Sequence, residues 1–349
     1  MRKEVAMTME TKRWNLKKDT LYNQQAIKEA AAFLKSGATV AFPTETVYGL
    51  GADATNEMAI AQIFQAKGRP QDNPLIAHVA TKGQLVQLVD DLPNYVEKLI
   101  DEFSPGPLTY ILPSNGTCAK NVTAGLSTIA VRIPDHPVAQ QLLKKCDIPI
   151  AAPSANLSGK PSPTTANHVW SDLHGKIAGL IDGGPTGVGV ESTVIDCTQD
   201  IPIILRPGGI TREQLEDVIG KIGFDAALSD AKERPKSPGM KYRHYSPEVP
   251  LWIVAGAAEK LQTIIDAEKQ KGNRIGVLAS FQTTKKISAD ELTSLGRNMN
   301  EITANLYNGL RTYKEGDVDI ILCEAFPEAG IGQAVMNRLR KAASVYIDD

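Results

Sequence analysis

Residues 67–78 read KGRPQDNPLIAH, and they decide what kind of fold this 349-residue chain can take. Upstream, Ile60, Ile63 and Phe64 fall on one helical face behind a capping Thr55, so a helix ends at Lys67-Gly68-Arg69. Downstream, PLIAHVA (74–80) is an apolar run of strand length. A helix passing through a charged turn into a buried strand is the unit from which α/β folds are built. The turn gathers Lys67, Arg69, Asn73 and His78. Cations on a loop above a rigid sheet suit a polyphosphate, with Arg forking onto its oxygens and Lys acting as a point charge. Taken alone, the same residues also fit a solvated helix end whose Lys offsets the macrodipole.

Working outward, Gln24 to Lys35 forms a helix stopped by Gly37, and ATVAFP (38–43) is the first strand, followed by the loop TETVYGLGADA (44–54). SPGPLTYILP (104–113), STIAVRIP (127–134) and IPIAAPSAN (148–156) supply further strands. AGLIDGG (178–184), STVIDCT (192–198) and PIILRPGG (202–209) look like an antiparallel section between turns, so the sheet is expected to be mixed. The boundaries expected are a catalytic unit at 1–218, a linker at 219–249 and a second unit at 250–349. Beyond the linker, PLWIVAG, RIGVLAS and VDIILCEAF alternate with helices, which argues for a smaller Rossmann-like α/β domain with a largely parallel sheet.

Several imitations of known motifs fail on inspection. Gly49-Leu50-Gly51 with Ala54 copies a dinucleotide fingerprint, but no second half-site follows. SGKPS (158–162) lacks the earlier glycine of a phosphate loop, and Pro161 follows its Lys160. Ser154 has no nucleophile elbow around it and reads as a hydrogen-bond donor. Gly330-Ile331-Gly332 before the last helix reads as a tight turn. Arg132 in AVRIP and Arg206 in ILRPGG sit in apolar strands, where each needs a carboxylate or a phosphate as partner. His136, His168 and His174 read as surface residues.

Composition excludes more than it selects. With 42% hydrophobic and 22% charged residues the chain is an ordinary globular protein, and a net charge of −2 gives no whole-molecule attraction for nucleic acid. The four cysteines, far apart and without zinc spacing, read as structural thiols of a reducing compartment. The N-terminal segment carries Glu4 and Glu10 and no apolar core, so neither a secretory signal nor a transit peptide is expected, and the expected location is cytoplasmic.

PTETVYGLGADA, KGRPQDNPLIAH, SPGPLTYIL, AVRIPDHP, AAPSANLSGKPSPT, GGPTGVGVESTVID and ILRPGG, in that order, resemble the signatures of the YrdC-type threonylcarbamoyl-AMP synthases. SPGMKYRHYSP (237–247) and GIGQAVMNRLRKAAS (330–344) resemble the longer, two-domain members of that family. The resemblance implies a YrdC-like twisted mixed sheet and a nucleotidyltransferase that uses L-threonine, bicarbonate and ATP with Mg²⁺. The product would be threonylcarbamoyl-adenylate plus pyrophosphate, serving N6-threonylcarbamoyladenosine formation at position 37 of tRNAs reading ANN codons. It also implies the site residues. Lys67 and Arg69 would be catalytic; Arg69, Asn73, Thr128, Ser154, Asn156, Ser162 and Arg206 would hold ATP; Thr46, His78, Arg132, Ala152 and Ser192 would hold threonine. Lys241, Tyr242, Arg243 and His244 are candidate lid groups, and no metal ligand is expected from the protein itself. Expected partners are the small-molecule substrates, the downstream threonylcarbamoyl-transferase machinery and a weak tRNA or RNA contact, with no membrane. The rivals are an RNA-binding module of the same fold, which would show salt-dependent RNA affinity without turnover, and carbamoyl-adenylate chemistry, whose usual accompanying acylphosphatase and zinc-finger segments are absent here.

Overall fold

The apolar runs pair into two sheets in the computed structural model, which describes residues 9–16, 20–224 and 244–348. The lid candidates Lys241, Tyr242 and Arg243 lie outside the described residues. The first sheet takes β1 (Lys12–Asn15), β2 (Val40–Phe42), β3 (Gly49–Asp53), β4 (Ile76–His78), β5 (Leu108–Pro113), β6 (Thr128–Arg132), β7 (Ile150–Ala151), β8 (Gly179–Asp182), β9 (Thr193–Asp196), β10 (Ile203–Arg206) and β11 (Gly223–Phe224). Their order is β1-β8-β2-β3-β7-β4-β6-β5-β9-β10-β11, with parallel pairs such as β4/β6 and antiparallel pairs such as β5/β6. The sheet is therefore mixed, as expected. The antiparallel section expected over 178–209 is reduced to β9/β10, because β8 runs parallel between β1 and β2. β11 pairs with β10 inside the stretch expected as linker.

The second sheet holds β12 (Leu251–Val254), β13 (Ile275–Ser280), β14 (Glu291–Gly296), β15 (Ile320–Glu324) and β16 (Val345–Ile347) in the order β14-β13-β15-β12-β16, and every pair is parallel. Leu261 and Ile265 of the helix Ala258–Gln270 pack on one face with Val277 and Leu322. Leu306 and Leu310 of Met299–Leu310 and Leu339 of Gly332–Ala342 pack on the other with Leu278 and Ile321. Helices on both faces of a parallel sheet make the expected three-layer unit.

Several local expectations need correction. The cap of the helix Glu57–Lys67 is Asn56, whose Oδ1 accepts from Met58 N at 3.0 Å and Ala59 N at 3.2 Å; Thr55 instead bonds Asp53. The stretch read as a loop after β2 contains β3. Its Gly51 marks a close approach, since a Cβ there would meet Ile150 of β7 and Phe42 of β2 at 2.8 Å. His136 and His168 are half-buried and work locally: Nδ1 of His136 accepts from Val138 N at 3.2 Å, and Nδ1 of His168 accepts from Thr164 N at 3.3 Å. His174 is exposed. All four cysteines are buried and free. Among the described residues, no helix is long and apolar enough to cross a membrane.

The two sheets are joined through one interface beside the first sheet's loops. Val47, Val190, Tyr245 and Val249 enter the apolar cluster of the second unit. Gly189, at φ 83°, lets the 188–190 turn lie on the helix Met299–Leu310, where a Cβ would stand 2.4 Å from Ala304 Cα. Arg311 Nη2 meets Asp172 Oδ2 at 2.7 Å, with the Asp side chain fully buried.

Gly51→Ala should lower stability by about 1–3 kcal/mol in urea unfolding, because Phe42 and Ile150 must both move to admit one methyl. An unchanged midpoint would show that these strands do not approach so closely.

Candidate active site

A solvent-open pocket lies over β4. Ile76 and His78, two residues apart and so on one face of that strand, both line it. The helix ending at Lys67 and Arg69 closes one side, and the turn Thr44–Val47 between β2 and β3 closes another. Arg132 and Arg206 are the last residues of β6 and β10, and both point into the same space. After β7 the chain runs on beside β3, Leu50 N donating to Pro153 O and Ala155 N to Tyr48 O, which fixes the 153–156 loop against the pocket.

Both residues expected to be catalytic, Lys67 and Arg69, line this pocket, as do Arg69, Ser154, Asn156, Ser162 and Arg206 of those expected to hold ATP. All five expected to hold threonine line it too: Thr46, His78, Arg132, Ala152 and Ser192. His244, alone among the lid candidates in lying within the described residues, lines it as well. Asn73 and Thr128 do not. Asn73 is buried behind Arg69, its Oδ1 without a hydrogen-bond partner among the described residues, and Thr128 begins β6 at the end away from Arg132.

Lys67 ties the two charged segments together. Its Nζ donates to Ser154 O, and to Asn156 O at 2.6 Å, which leaves one ammonium donor for a ligand. Burial, with Arg69 nearby, depresses its pKa well below the ordinary lysine value. An arriving anion would reverse that, since opposite charge favours the ammonium form. Ser154 Oγ donates to Asn156 Oδ1 at 2.6 Å, and Asn156 Nδ2 donates to Lys160 O at 2.9 Å, so the serine-to-asparagine turn is internally braced.

The strand arginines have resident partners. Arg132 Nη2 meets Glu45 Oε1 at 2.5 Å and its Nη1 donates to Thr46 Oγ1 at 2.9 Å, so an internal ion pair accounts for its burial. Arg206 lies on Ser192, donating to the carbonyl at 3.0 Å and to Oγ at 3.2 Å. Burial holds His78 at about 3, with Arg132 adding to the effect, and burial with Arg69 holds His244 at about 4. Both imidazoles are therefore neutral near pH 7 and offer hydrogen bonds, not charge.

Glu191 is the residue that sequence reasoning missed. It lines the pocket and is buried, yet burial, which would raise its pKa, is outweighed by Arg338 and Arg206, which hold it at about 2. Ser162 Oγ donates to Oε1 at 2.6 Å, Tyr307 OH reaches both oxygens at 3.0 and 2.8 Å, and Arg338 Nε donates to Oε2 at 3.0 Å. Both oxygens are engaged, so this carboxylate is not open to a cation. Among the described residues, no cluster of three His, Cys, Asp or Glu could hold a metal. The signal was present: a carboxylate in the apolar run GVGVESTVID needs a partner as much as Arg132 does.

Residues 32–208 match the Sua5/YciO/YrdC family, described as telomere recombination, and residues 210–344 match a family described as the threonylcarbamoyl-AMP synthase C-terminal domain. A threonylcarbamoyl-AMP synthase of Bacillus subtilis is 52% identical over 340 residues, covering 96% of this chain and 98% of that protein. The crystal structure of Pyrococcus abyssi Sua5 complexed with L-threonine superposes with a TM-score of 0.91 at 45% identity, covering 97% of this chain and 99% of the other. A shorter threonylcarbamoyl-AMP synthase of Vibrio cholerae is 35% identical over 163 residues, 46% of this chain and 87% of its own length.

The neutral buried histidines make stability fall with acid. Unfolded, His78 takes a proton near 6.5, whereas folded it resists until about 3, so the unfolded chain binds more protons throughout that window. Stability should drop below pH 6.5 by up to about 1.4 kcal/mol per pH unit for each such histidine. His78→Gln should flatten the slope of unfolding free energy between pH 6.5 and 5. An unaltered slope would mean that His78 titrates alike folded and unfolded.

Proposed function

The chain belongs to the Sua5/YciO/YrdC family, and from that premise we infer that it is a threonylcarbamoyl-AMP synthase, a nucleotidyltransferase that makes threonylcarbamoyl-adenylate and pyrophosphate from L-threonine, bicarbonate and ATP. The observation that carries this reading is the convergence of Lys67, Arg69, Arg206 and the Ser154–Asn156 turn with Thr46, His78, Arg132 and Ser192 on one pocket. The first group suits a triphosphate, and the second suits a small zwitterion with a hydroxyl.

Threonine's amine combines with bicarbonate, losing water, to give a carbamate. A carbamate oxygen then forms a bond to the α-phosphorus of ATP as the bond to pyrophosphate breaks. Carbamate and nucleotide are both anions, so the first requirement is to bring like charges together, and this is what Lys67, Arg69 and Arg206 do. Arg132, steadied by Glu45 and Thr46, orients the amino acid beside them. Ser154, Ser162 and Ser192 supply hydroxyls, while His78 and His244, being neutral, add polarity without further charge. Mg²⁺ bound with the nucleotide would be held mainly by phosphate oxygens and water and would offset their charge, the Glu191 carboxylate being engaged by Ser162, Tyr307 and Arg338. His244, which lines the pocket, is the described residue suited to helping cover the site.

We assign the catalytic unit to 1–218, its sheet extended by β11 to Phe224, and the second unit to 250–349, with the rest of 219–249 between them. The product is labile and must pass to a transferase that places the threonylcarbamoyl group on adenosine 37 of tRNAs reading ANN codons. That handover, with at most a weak direct contact to tRNA, sets the enzyme in the cytoplasm.

Lys67→Ala and Arg69→Ala should each reduce threonine-dependent pyrophosphate release by at least about a hundredfold, the scale for losing one transition-state charge contact. Near-normal turnover in both would contradict the assignment. Mass spectrometry of the product should show the threonyl adduct, with serine used at a rate lower by about ten- to two-hundredfold, as one methyl permits.

A further inference from the structure

The second unit contains no residue of the resemblance's substrate sets, yet it reaches the pocket wall through two buried side chains, Tyr307 and Arg338, both bonded to Glu191. We propose that Arg338, in the helix Gly332–Ala342, is a positioning residue for the nucleotide half of the site, acting through Glu191 on Ser162 and through Pro207 on Arg206. The proposal rests on the functional reading above and gives the second unit a task within it.

Arg338 is fully buried, and it lines no part of the pocket, so it does not touch a ligand directly. Its Nε donates to Glu191 Oε2 at 3.0 Å, and its Nη1 donates to Pro207 O at 2.6 Å. Pro207 follows Arg206, and Glu191 receives the Ser162 hydroxyl at 2.6 Å. One guanidinium thus fixes two segments that each carry a nucleotide-side residue. It also lies 5.9 Å from the ring centroid of Tyr245, which lines the pocket and stacks on Tyr307 at 5.4 Å.

The charge arithmetic gives the arrangement a purpose. Glu191 is an ionised carboxylate beside the place where phosphates bind, and Arg206 is the other arginine whose field acts on it. With Arg338 in place, Glu191 is neutralised from behind and Arg206 stays directed at the ligand. Without it, Arg206 becomes the nearest compensating cation and is drawn away from phosphate. Arg132, the charged residue of the threonine half, is insulated, because it is held by Glu45, Thr46 and Gly106 O, all within the first unit; Ser192, which accepts from Arg206, is the one point where the halves touch. Docking of the two units is supported separately by Arg311 and Asp172. The shorter Vibrio cholerae protein carries the same activity name across less than half of this chain's length. The second unit is therefore expected to contribute geometry, with the reacting groups supplied by the first.

The test is steady-state pyrophosphate release with ATP and threonine varied separately, in the full chain, for Arg338→Lys and Tyr307→Phe. Arg338→Lys keeps the charge but cannot reach Glu191 and Pro207 together. The KM for ATP should rise about tenfold, the scale of one hydrogen bond to a charged group, while the KM for threonine stays within about twofold. Tyr307→Phe removes one hydroxyl and keeps the stacked ring, so it should fold, and it should raise the KM for ATP about threefold. Arg340→Gln, on the same helix, breaks an exposed pair with Glu328 and a contact with Tyr346, neither of which lines the pocket, and should match the wild type in both constants. An unchanged KM for ATP in both test variants, or an equal rise in both constants, would overturn the proposal. A wild-type protein with no threonine-dependent release would instead overturn the functional reading beneath it.

Discussion

The structure turns on a single buried carboxylate. Glu191 sits between two sheets that are far apart in the chain, and it is tolerable there only because Ser162, Tyr307 and Arg338 surround its oxygens. Removing a charge from water without such partners costs several kcal/mol, so the first unit's pocket and the second unit's helices are bound to one another by necessity. Tyr307 stays protonated because burial and the neighbouring carboxylate both raise its pKa, which keeps it a donor. The same contact that joins the domains therefore also fixes the wall of the pocket.

Around that anchor the fold solves an electrostatic problem. Lys67, Arg69, Lys160, Arg132 and Arg206 all line one space, and each has been given a neutral or anionic neighbour that limits their mutual repulsion. Lys67 rests on carbonyl oxygens, Arg132 on Glu45, Arg206 on Ser192 and Lys160 on Glu248 at 3.1 Å. The histidines are kept neutral by burial, so they do not add to the excess. A polyanion that enters such a space replaces modest internal contacts with stronger ones, and the cations are already held in position when it arrives.

Much of this was legible in the chain because it is local. The strands that carry His78, Arg132 and Arg206 are apolar runs bounded by turns, and the cations beside them stand out against that background. β3 was read as a loop because Gly49 and Gly51 weaken its pattern, and the close approach of Phe42 that requires Gly51 is a tertiary fact. β14 and β16 are largely exposed edge strands, so alternation gave little signal. The helix Ala166–Leu173 was passed over, its apolar face being only Val169 and Leu173 with Ala166. Arg338 lies 147 residues from Glu191, and nothing in NRLRKA distinguishes it from the exposed Arg340 two positions on. Pairings of that span are set by how two domains dock, which no local pattern encodes.

The central claim is that one pocket seats a nucleotide triphosphate beside an amino acid. A crystal structure of the full chain with a non-hydrolysable ATP analogue and L-threonine tests it most directly. The account predicts the phosphates among Lys67, Arg69 and Arg206, with the threonine carboxylate and amine near Arg132 and Ser192. Either ligand bound elsewhere, or an empty pocket at saturating concentrations of both, would contradict it.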